Sequence, residues 1–204
     1  MSIIKLDESL LIAKGGERAC YLYPTDDKKI IKILYTEGTH NNQNRLEYIY
    51  MNYLKRKKTD LSHITDCYGY IMTTLGKGLV YERVFDYDNK PSKSFRYMIA
   101  HKLIDEKEQN RLLNELKQYL DKNKILFIDN SMTNIFYKKT SLNSAKLVIV
   151  DGLGAKRIGF KFYLYLYLPF YRNYKIKKQW QKLMWLYNKD ITRIKNNTMP
   201  MHRL

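Results

Sequence analysis

Two polar motifs, each placed directly after an apolar stretch, constrain the fold of this chain more than any other feature. The first, residues 129–134, reads Asp-Asn-Ser-Met-Thr-Asn and follows the apolar stretch 124–128. The second, residues 151–154, reads Asp-Gly-Leu-Gly and follows the apolar stretch 147–150. Short apolar runs bounded by Asp, Asn, Ser and Gly are typical of β-strands. We therefore predict a strand immediately before each motif.

The segment between the two motifs predicts a β-hairpin. Residues 134–138 form another strand-like run, and residues 140–144 (Thr-Ser-Leu-Asn-Ser) are rich in turn-forming residues. The strands of a hairpin run antiparallel, so the residues at its entry and its exit lie at the same end. The hairpin is therefore expected to bring Asn134 and Asp151 together.

This arrangement predicts a phosphoryl-transfer site. An Asp in a loop, an Asn five residues later and an Asp-Gly one hairpin further on is how protein-kinase-like enzymes place a catalytic base and two Mg²⁺ ligands. Asp129 is the predicted base, which orients the acceptor hydroxyl and accepts its proton. Asn134 and Asp151 are the predicted metal ligands, because Mg²⁺ prefers hard oxygen atoms.

The elements before and after the motifs predict an α+β fold. Three antiparallel strands (10–13, 18–23 and 29–35) are followed by a helix at 41–57 and by strands at 67–73 and 78–84. Beyond Pro91 the chain is predominantly helical. There Asp105 is a predicted N-cap with Glu108 at capping-box spacing, and the last forty residues are predicted to be helical.

This order predicts a two-lobed protein-kinase-like fold in a single domain, 1–204. A small antiparallel β-sheet lobe with one helix takes in about 1–86, and a reduced, mainly helical lobe with the catalytic hairpin takes in about 87–204.

Lys32 is the predicted cation for the nucleotide phosphates. It lies in the third strand, and its neighbours Ile31 and Ile33 should point the other way and pack. Glu47, on the following helix, is the predicted ion-pair partner that holds this lysine in position. The alternative is that Lys32 is an ordinary solvent-facing strand lysine.

Two further segments are predicted to contact ATP. Gly15 and Gly16 join the first two strands, where their backbone amides could approach a phosphate, although a Gly-Gly pair is also a common hairpin turn. Glu82 and Val84 follow the fifth strand, where a hinge would present backbone groups to an adenine.

The net charge of +17 favours anionic partners, although biased codon usage would enrich lysine equally well. Candidate partners are nucleotides, an anionic small-molecule or glycan acceptor, and an acidic membrane face. No sequence-specific nucleic acid is expected, because no helix-turn-helix, zinc-finger or RNP pattern accompanies the charge. The two cysteines are isolated and no signal peptide is visible, so a cytoplasmic location is expected.

Two segments resemble the family of the PhoP regulatory network protein YrbL. Residues 11–21 (LIAKGGERACY) resemble that bacterial family's opening, and residues 47–54 (EYIYMNYL) are similar to its Glu-x-x-Tyr-x-x-Leu helix. The motifs at 129–134 and 151–152 match its later landmarks. The resemblance implies a kinase-like fold related to that of bacterial sugar and lipopolysaccharide-core kinases. The predicted site residues indicate ATP and Mg²⁺ as cofactors.

Two departures from the motifs of typical protein kinases narrow the predicted activity. Phe127 and Ile128 replace the His-Arg pair before the catalytic Asp, and residues 151–154 read Asp-Gly-Leu-Gly where Asp-Phe-Gly is usual. A compact phosphotransferase acting on a small-molecule or glycan hydroxyl is therefore favoured over a regulated protein kinase. The alternatives are a nucleotide-binding pseudokinase or regulatory module, and a basic nucleic-acid- or membrane-binding protein.

The aromatic and basic stretch 160–172 has two interpretations. We favour packing that closes the helical lobe, with the lysines extended into solvent. The second interpretation is peripheral contact with the acidic inner face of a membrane.

Overall fold

The structure, a computed structural model, describes residues 3–35 and 42–198. The chain divides into two compact units. The first comprises Met1–Leu61, Thr65–Arg83 and Lys156–Ile158, and the second comprises Ser62–Ile64, Val84–Ala155 and Gly159–Leu204.

The first unit is built on a five-stranded antiparallel sheet in the order β1-β2-β3-β5-β4. Its elements are β1 (Leu11–Lys14), β2 (Arg18–Tyr23), β3 (Asp26–Leu34), α1 (Gln43–Arg56), β4 (Cys67–Thr73) and β5 (Gly76–Glu82). All five strands and the helix were predicted, with β5 beginning and ending two residues earlier than expected. The predicted first helical residue, Asn41, lies outside the described residues.

Successive side chains of β3 point to opposite faces of this sheet, as expected for a β-strand. Ile31 and Ile33 of β3 are buried in one cluster with Leu6 and Val80. Gly78 of β5 lies beside them, and a Cβ atom there would come within 2.3 Å of Ile31 Cγ2. The glycine therefore lets the two isoleucines pack flat against β5. Lys32 points to the opposite face.

The second unit contains α2 (Phe95–Ala100), α3 (Glu106–Asn123), α4 (Phe160–Tyr167) and α5 (Pro169–Lys195). It also holds a small sheet of β6 (Lys93–Ser94), β7 (Ile135–Ser141) and β8 (Ser144–Ile149) in the order β6-β7-β8. The predicted hairpin is confirmed as β7–β8, with a connection of two residues.

The start of α3 confirms the predicted N-cap. The Asp105 side chain accepts a hydrogen bond of 2.7 Å from the Glu108 backbone amide. Glu108 does not complete a reciprocal capping box among the bonds described, because its carboxylate binds Arg111 at 2.6 Å. The apolar face of α3 is buried and consists of Leu112, Leu113, Leu116 and Leu120.

The predicted strand at 124–128 is wrong. Helix α3 ends at Asn123, Lys124 adopts the left-handed conformation (φ 56°), and the apolar residues that follow are buried. Only Phe127 forms a bridge, to Leu153. The partner segment cannot continue the ladder, because Gly152 and Gly154, on either side of Leu153, have φ of +84° and +87° and turn the backbone.

Helix α5 confirms the helix predicted for the last forty residues, and Pro169 occupies its first turn. We favoured core packing for the aromatic stretch, and this interpretation holds for only one face of each of the two helices, α4 and α5. The buried residues of α4 and α5 include Phe162, Leu166, Ile176, Leu183 and Tyr187, whereas several aromatic rings are exposed. Within the described ranges, every helix is too short or too polar to cross a bilayer.

Candidate functional site

Lys32 is buried and ion-paired within the first unit. Only 2% of its surface is exposed, and its Nζ lies 3.3 Å from Glu47 Oε2. The ammonium also lies 4.2 Å from the centroid of the Tyr81 ring, within cation–π range. The alternative of a solvent-facing lysine is therefore wrong. An ammonium out of water needs a charged partner, and Glu47 is one.

Glu47 connects Lys32 to a second cation. Its other oxygen, Oε1, lies 2.8 Å from Nη2 of Arg18 on β2. Asn44, one turn earlier on α1, accepts from Arg18 Nη1 at 3.2 Å and donates to the Lys32 carbonyl oxygen at 2.8 Å. The cluster thus links β2, β3 and α1 through side-chain hydrogen bonds.

Sequence reasoning missed Arg18 and Asn44, although weak signals existed. Cys20 is opposite Lys32 in the β2–β3 ladder, so Arg18, two residues earlier on β2, lies on the same face. Asn44 is three residues before Glu47, which places both on one side of a helix.

The surroundings of this cluster are poorly solvated. Burial, together with the nearby Glu47 carboxylate, raises the pKa of the Tyr81 phenol well above its ordinary value. The weak solvent screening that keeps Tyr81 neutral also strengthens the attraction between Lys32 and Glu47.

In the second unit, Asn134 holds Asp129 in position. The Asn134 side-chain amide donates to the Asp129 carbonyl oxygen at 2.9 Å and to its Oδ2 at 3.1 Å. The Ser131 amide also donates to the Asp129 carbonyl oxygen, at 2.8 Å. The Asp129 side chain is exposed, so its carboxylate is both oriented and accessible.

The turn after Asp151 supports the same loop from the other side. The amides of Ile128 and Asp129 both donate to the Gly152 carbonyl oxygen, at 2.8 and 3.1 Å. A Cβ atom on Gly152 would lie 2.7 Å from the Asp129 carbonyl oxygen, so only glycine fits this contact. Asp151 itself accepts from the Gly152 amide at 2.8 Å.

The hairpin brings its two ends together, as predicted. The Val150 amide donates to the Asn134 carbonyl oxygen at 3.0 Å, and Ile135 pairs with Ile149. Asn134 and Asp151 therefore flank one end of the β7–β8 hairpin.

The predicted donors at this end suit magnesium. The NH₂ group of Asn134 donates to Asp129, so its Oδ1 would be the atom available to a metal, and Asp151 would offer a carboxylate. Mg²⁺ is typically held by one or two such oxygens together with substrate phosphates and water. The described ranges, this end included, contain no group of three or more His, Cys, Asp or Glu residues that could hold a metal.

Three of the other residues predicted to contact the nucleotide make backbone hydrogen bonds within the chain. The Gly15 amide closes the β1–β2 turn by donating to the Arg18 carbonyl oxygen at 2.7 Å. The Glu82 amide donates to the Asp66 carbonyl oxygen at 2.9 Å, and the Val84 carbonyl oxygen accepts from Ser92 at 3.0 Å. Nucleotide binding by Gly15, Gly16, Glu82 and Val84 stays a prediction.

Together the elements define an α+β protein with a protein-kinase-like order: a five-stranded antiparallel sheet with one helix, then helices and a hairpin that carries Asp129, Asn134 and Asp151. The chain belongs to the family described as PhoP regulatory network protein YrbL, whose sequence profile matches residues 4–188. This finding agrees with the resemblance noted in the sequence.

Individual relatives agree with the family assignment. The YrbL proteins of Escherichia coli strain K12 and of Shigella flexneri are each 31% identical to this chain over 155 residues. The matched region covers 74% of this chain and 74% of each relative. Among solved structures, the chain is similar to Rad53 1-466 in complex with AMP-PNP. That match has a TM-score of 0.45 and 18% identity, and it covers 72% of this chain and 38% of that one.

Proposed function

We propose that this protein is an ATP- and Mg²⁺-dependent phosphotransferase that acts on the hydroxyl group of a small-molecule or glycan acceptor. The observation that carries this proposal is the Lys32–Glu47 ion pair, which is almost wholly buried. Removing two charges from water is costly, and apolar residues of similar volume often stabilise a protein as well or better. A role in binding phosphate explains why the sheet retains a lysine there.

Each proposed role follows from the chemistry of the side chain. Lys32 neutralises phosphate charge, and Glu47 keeps its ammonium in position. Asp129 accepts the proton of the acceptor hydroxyl as that oxygen attacks the γ-phosphorus, while the bond from this phosphorus to the leaving oxygen of ADP breaks. Asn134 orients the Asp129 carboxylate through its 3.1 Å hydrogen bond.

Asn134 and Asp151 would hold the metal. Bound Mg²⁺ would supply neutralisation of the charge that develops on the phosphate oxygens. The proposed residues therefore cover the base, the metal ligands and the cation of a phosphoryl-transfer reaction.

The acceptor class is proposed from charge. A net charge of +17 favours an anionic acceptor, such as a phosphorylated glycan of the lipopolysaccharide-core type. The cytoplasmic location expected from the sequence is part of the same proposal.

Two variants with matched controls test the proposal. Asp129→Asn should keep the thermal stabilisation by ATP and Mg²⁺ but lose at least about 100-fold in turnover, because general-base catalysis is worth that much. Asp121→Asn, the same change at an exposed position of α3, should leave turnover unchanged. Lys32→Met should lose the stabilisation by ATP, whereas Lys29→Met, on the same strand, should keep it.

Turnover is measured as ADP release across a panel of sugars and phosphorylated sugars. Equal turnover of Asp129→Asn and Asp121→Asn would remove the case for Asp129 as base. Stabilisation by ATP without turnover on any acceptor would favour the pseudokinase alternative.

A further inference from the structure

Helix α5 has one face that combines exposed aromatic rings with lysines. Residues on this face, termed the α5 face, recur at every third or fourth position, so they lie along one side of the helix. They are Phe170, Tyr174, Lys178, Lys182, Trp185 and Lys189. The face extends about 30 Å, at 1.5 Å per residue.

The rings on this face are strongly exposed. Phe170 is 78% exposed, Tyr174 58% and Trp185 60%, which is unusual for such large side chains. Lysine nitrogens accompany two of them: Lys178 Nζ lies 6.0 Å from the Tyr174 ring centroid, and Lys189 Nζ lies 5.1 Å from that of Trp185. Aromatic and cationic groups thus form one continuous surface.

The opposite side of α5 accounts for the packing of the helix. Ile176, Leu183 and Tyr187 are buried there. The one acidic residue of α5, Asp190, is also buried on that side, where its Oδ2 accepts a hydrogen bond of 2.8 Å from Arg96 Nε. The α5 face therefore carries positive charge without a carboxylate from its own helix, and its aromatic rings are not needed to fill the core.

We infer that the α5 face is a docking surface for a bilayer that contains anionic phospholipids. Tryptophan, tyrosine and phenylalanine partition to the headgroup region of a bilayer, and flanking lysines bind acidic headgroups. Removing the exposed rings from water supplies the apolar part of the binding, and the lysines supply the electrostatic part. The helix lies in the plane of the surface and does not cross it.

The shape of the surface favours lipid over nucleic acid. Single-stranded nucleic acids are bound in grooves that follow the phosphate backbone, with aromatic platforms for the bases. The exposed side of a helix is convex, and a planar array of headgroups can contact the length of the α5 face. A bilayer accordingly fits the α5 face better than a strand does.

The α5 helix is also bonded to the loop that carries Asp129. The buried Asn130 side chain donates to the backbone carbonyl oxygen of Gln179, a residue of α5. Docking of α5 would therefore bring this loop close to the membrane surface. The lipid-binding inference itself does not depend on the proposed phosphotransferase activity.

The test is co-sedimentation of the full chain with vesicles, without nucleotide. The protein should bind vesicles of phosphatidylcholine mixed with phosphatidylglycerol, bind weakly to phosphatidylcholine alone, and be released by salt. Lys178→Gln combined with Lys182→Gln should weaken binding by about 30-fold, since each lysine near an anionic surface contributes about one kcal/mol. The matched control, Lys117→Gln with Lys122→Gln, removes the same charge from exposed positions of α3 and should bind nearly as well as wild type.

A second pair of variants tests the rings. Phe170→Ser with Trp185→Ser should also lose binding, whereas Leu142→Ser, at a side chain that is 80% exposed, should not. Unchanged circular dichroism melting shows that each variant is folded.

Equal losses for the α5 and α3 lysine pairs would overturn the inference, because general positive charge would then explain the binding. So would tighter binding to a single-stranded oligonucleotide that the same variants abolish, or self-association that Phe170→Ser with Trp185→Ser abolishes. Failure of vesicle binding would leave ATP-dependent stabilisation, measured separately, unaffected.

Discussion

Replacing Gly152 with alanine tests whether the turn after Asp151 holds Asp129 in position. Gly152 has φ +84°, and its carbonyl oxygen accepts hydrogen bonds from the amides of Ile128 and Asp129. An added Cβ would lie 2.7 Å from the Asp129 carbonyl oxygen and 2.8 Å from its Cβ. Backbone contacts of this kind cannot be relieved by a rotamer change, so the Asp129 loop must shift.

The expected cost has two parts. The left-handed conformation costs alanine about 1 to 2 kcal/mol. Separation of the two segments would also weaken two backbone hydrogen bonds, each worth about 1 kcal/mol, for a total of about 3 to 4 kcal/mol.

Gly76→Ala is the matched control. Gly76 has φ +101°, but a Cβ there would have no neighbour within 4 Å. Its expected cost is therefore the conformational part alone, about 1 to 2 kcal/mol.

Urea unfolding of both variants measures the difference in unfolding free energy. If the phosphotransferase proposal is correct, Gly152→Ala should also lose about 100-fold in turnover, because a displacement of the order of 1 Å at a catalytic group has that effect. Equal unfolding free energies and equal turnover for the two variants would refute the reasoning that this turn positions Asp129.

Three further changes have definite expected outcomes. Glu47→Gln should lower the unfolding free energy by about 3 kcal/mol, measured in urea, because it removes a charged partner of the buried Lys32; a cost near zero would contradict this. Arg96→Met and Asp190→Leu should each cost about 3 kcal/mol, but the double variant should cost clearly less than the sum, because each single change leaves one buried charge without its partner; additive costs would contradict this coupling. Burial raises the pKa of Tyr70 from 10.0 to about 12, so the folded state keeps a proton that the unfolded state loses, and the unfolding free energy should fall as pH rises between these two values. That slope should be smaller in Tyr70→Phe, and an unchanged slope would contradict the assignment.

Local sequence patterns were sufficient for most of the elements. The strands β2 and β4, the N-cap of α3 and the β7–β8 hairpin were all predicted, because periodicity, capping residues and turn residues act within a few positions of the chain. The same reasoning predicted that Lys32 and Glu47 would pair. Only a lysine between two buried isoleucines, followed by a helix with a glutamate, was needed for that prediction.

Tertiary structure decided the points at which distant segments meet. The stretch 124–128 is apolar enough for a strand, but its neighbouring segment turns away at Gly152 and Gly154, so the ladder cannot form. Arg18 joins the Lys32–Glu47 pair because strand register places it there, and register depends on every contact of the sheet.

The aromatic and basic C-terminal segment, which forms α4 and α5, also separates what the sequence predicts from what packing decides. Its sequence predicted a basic, helical segment over the last forty residues, which α5 confirms. Composition could not determine which rings are buried and which remain on the α5 face, because that choice depends on which side of each helix meets the rest of the second unit. The sequence alone therefore determined the elements and the chemistry of their side chains, whereas the packing of those elements determined which side chains act together.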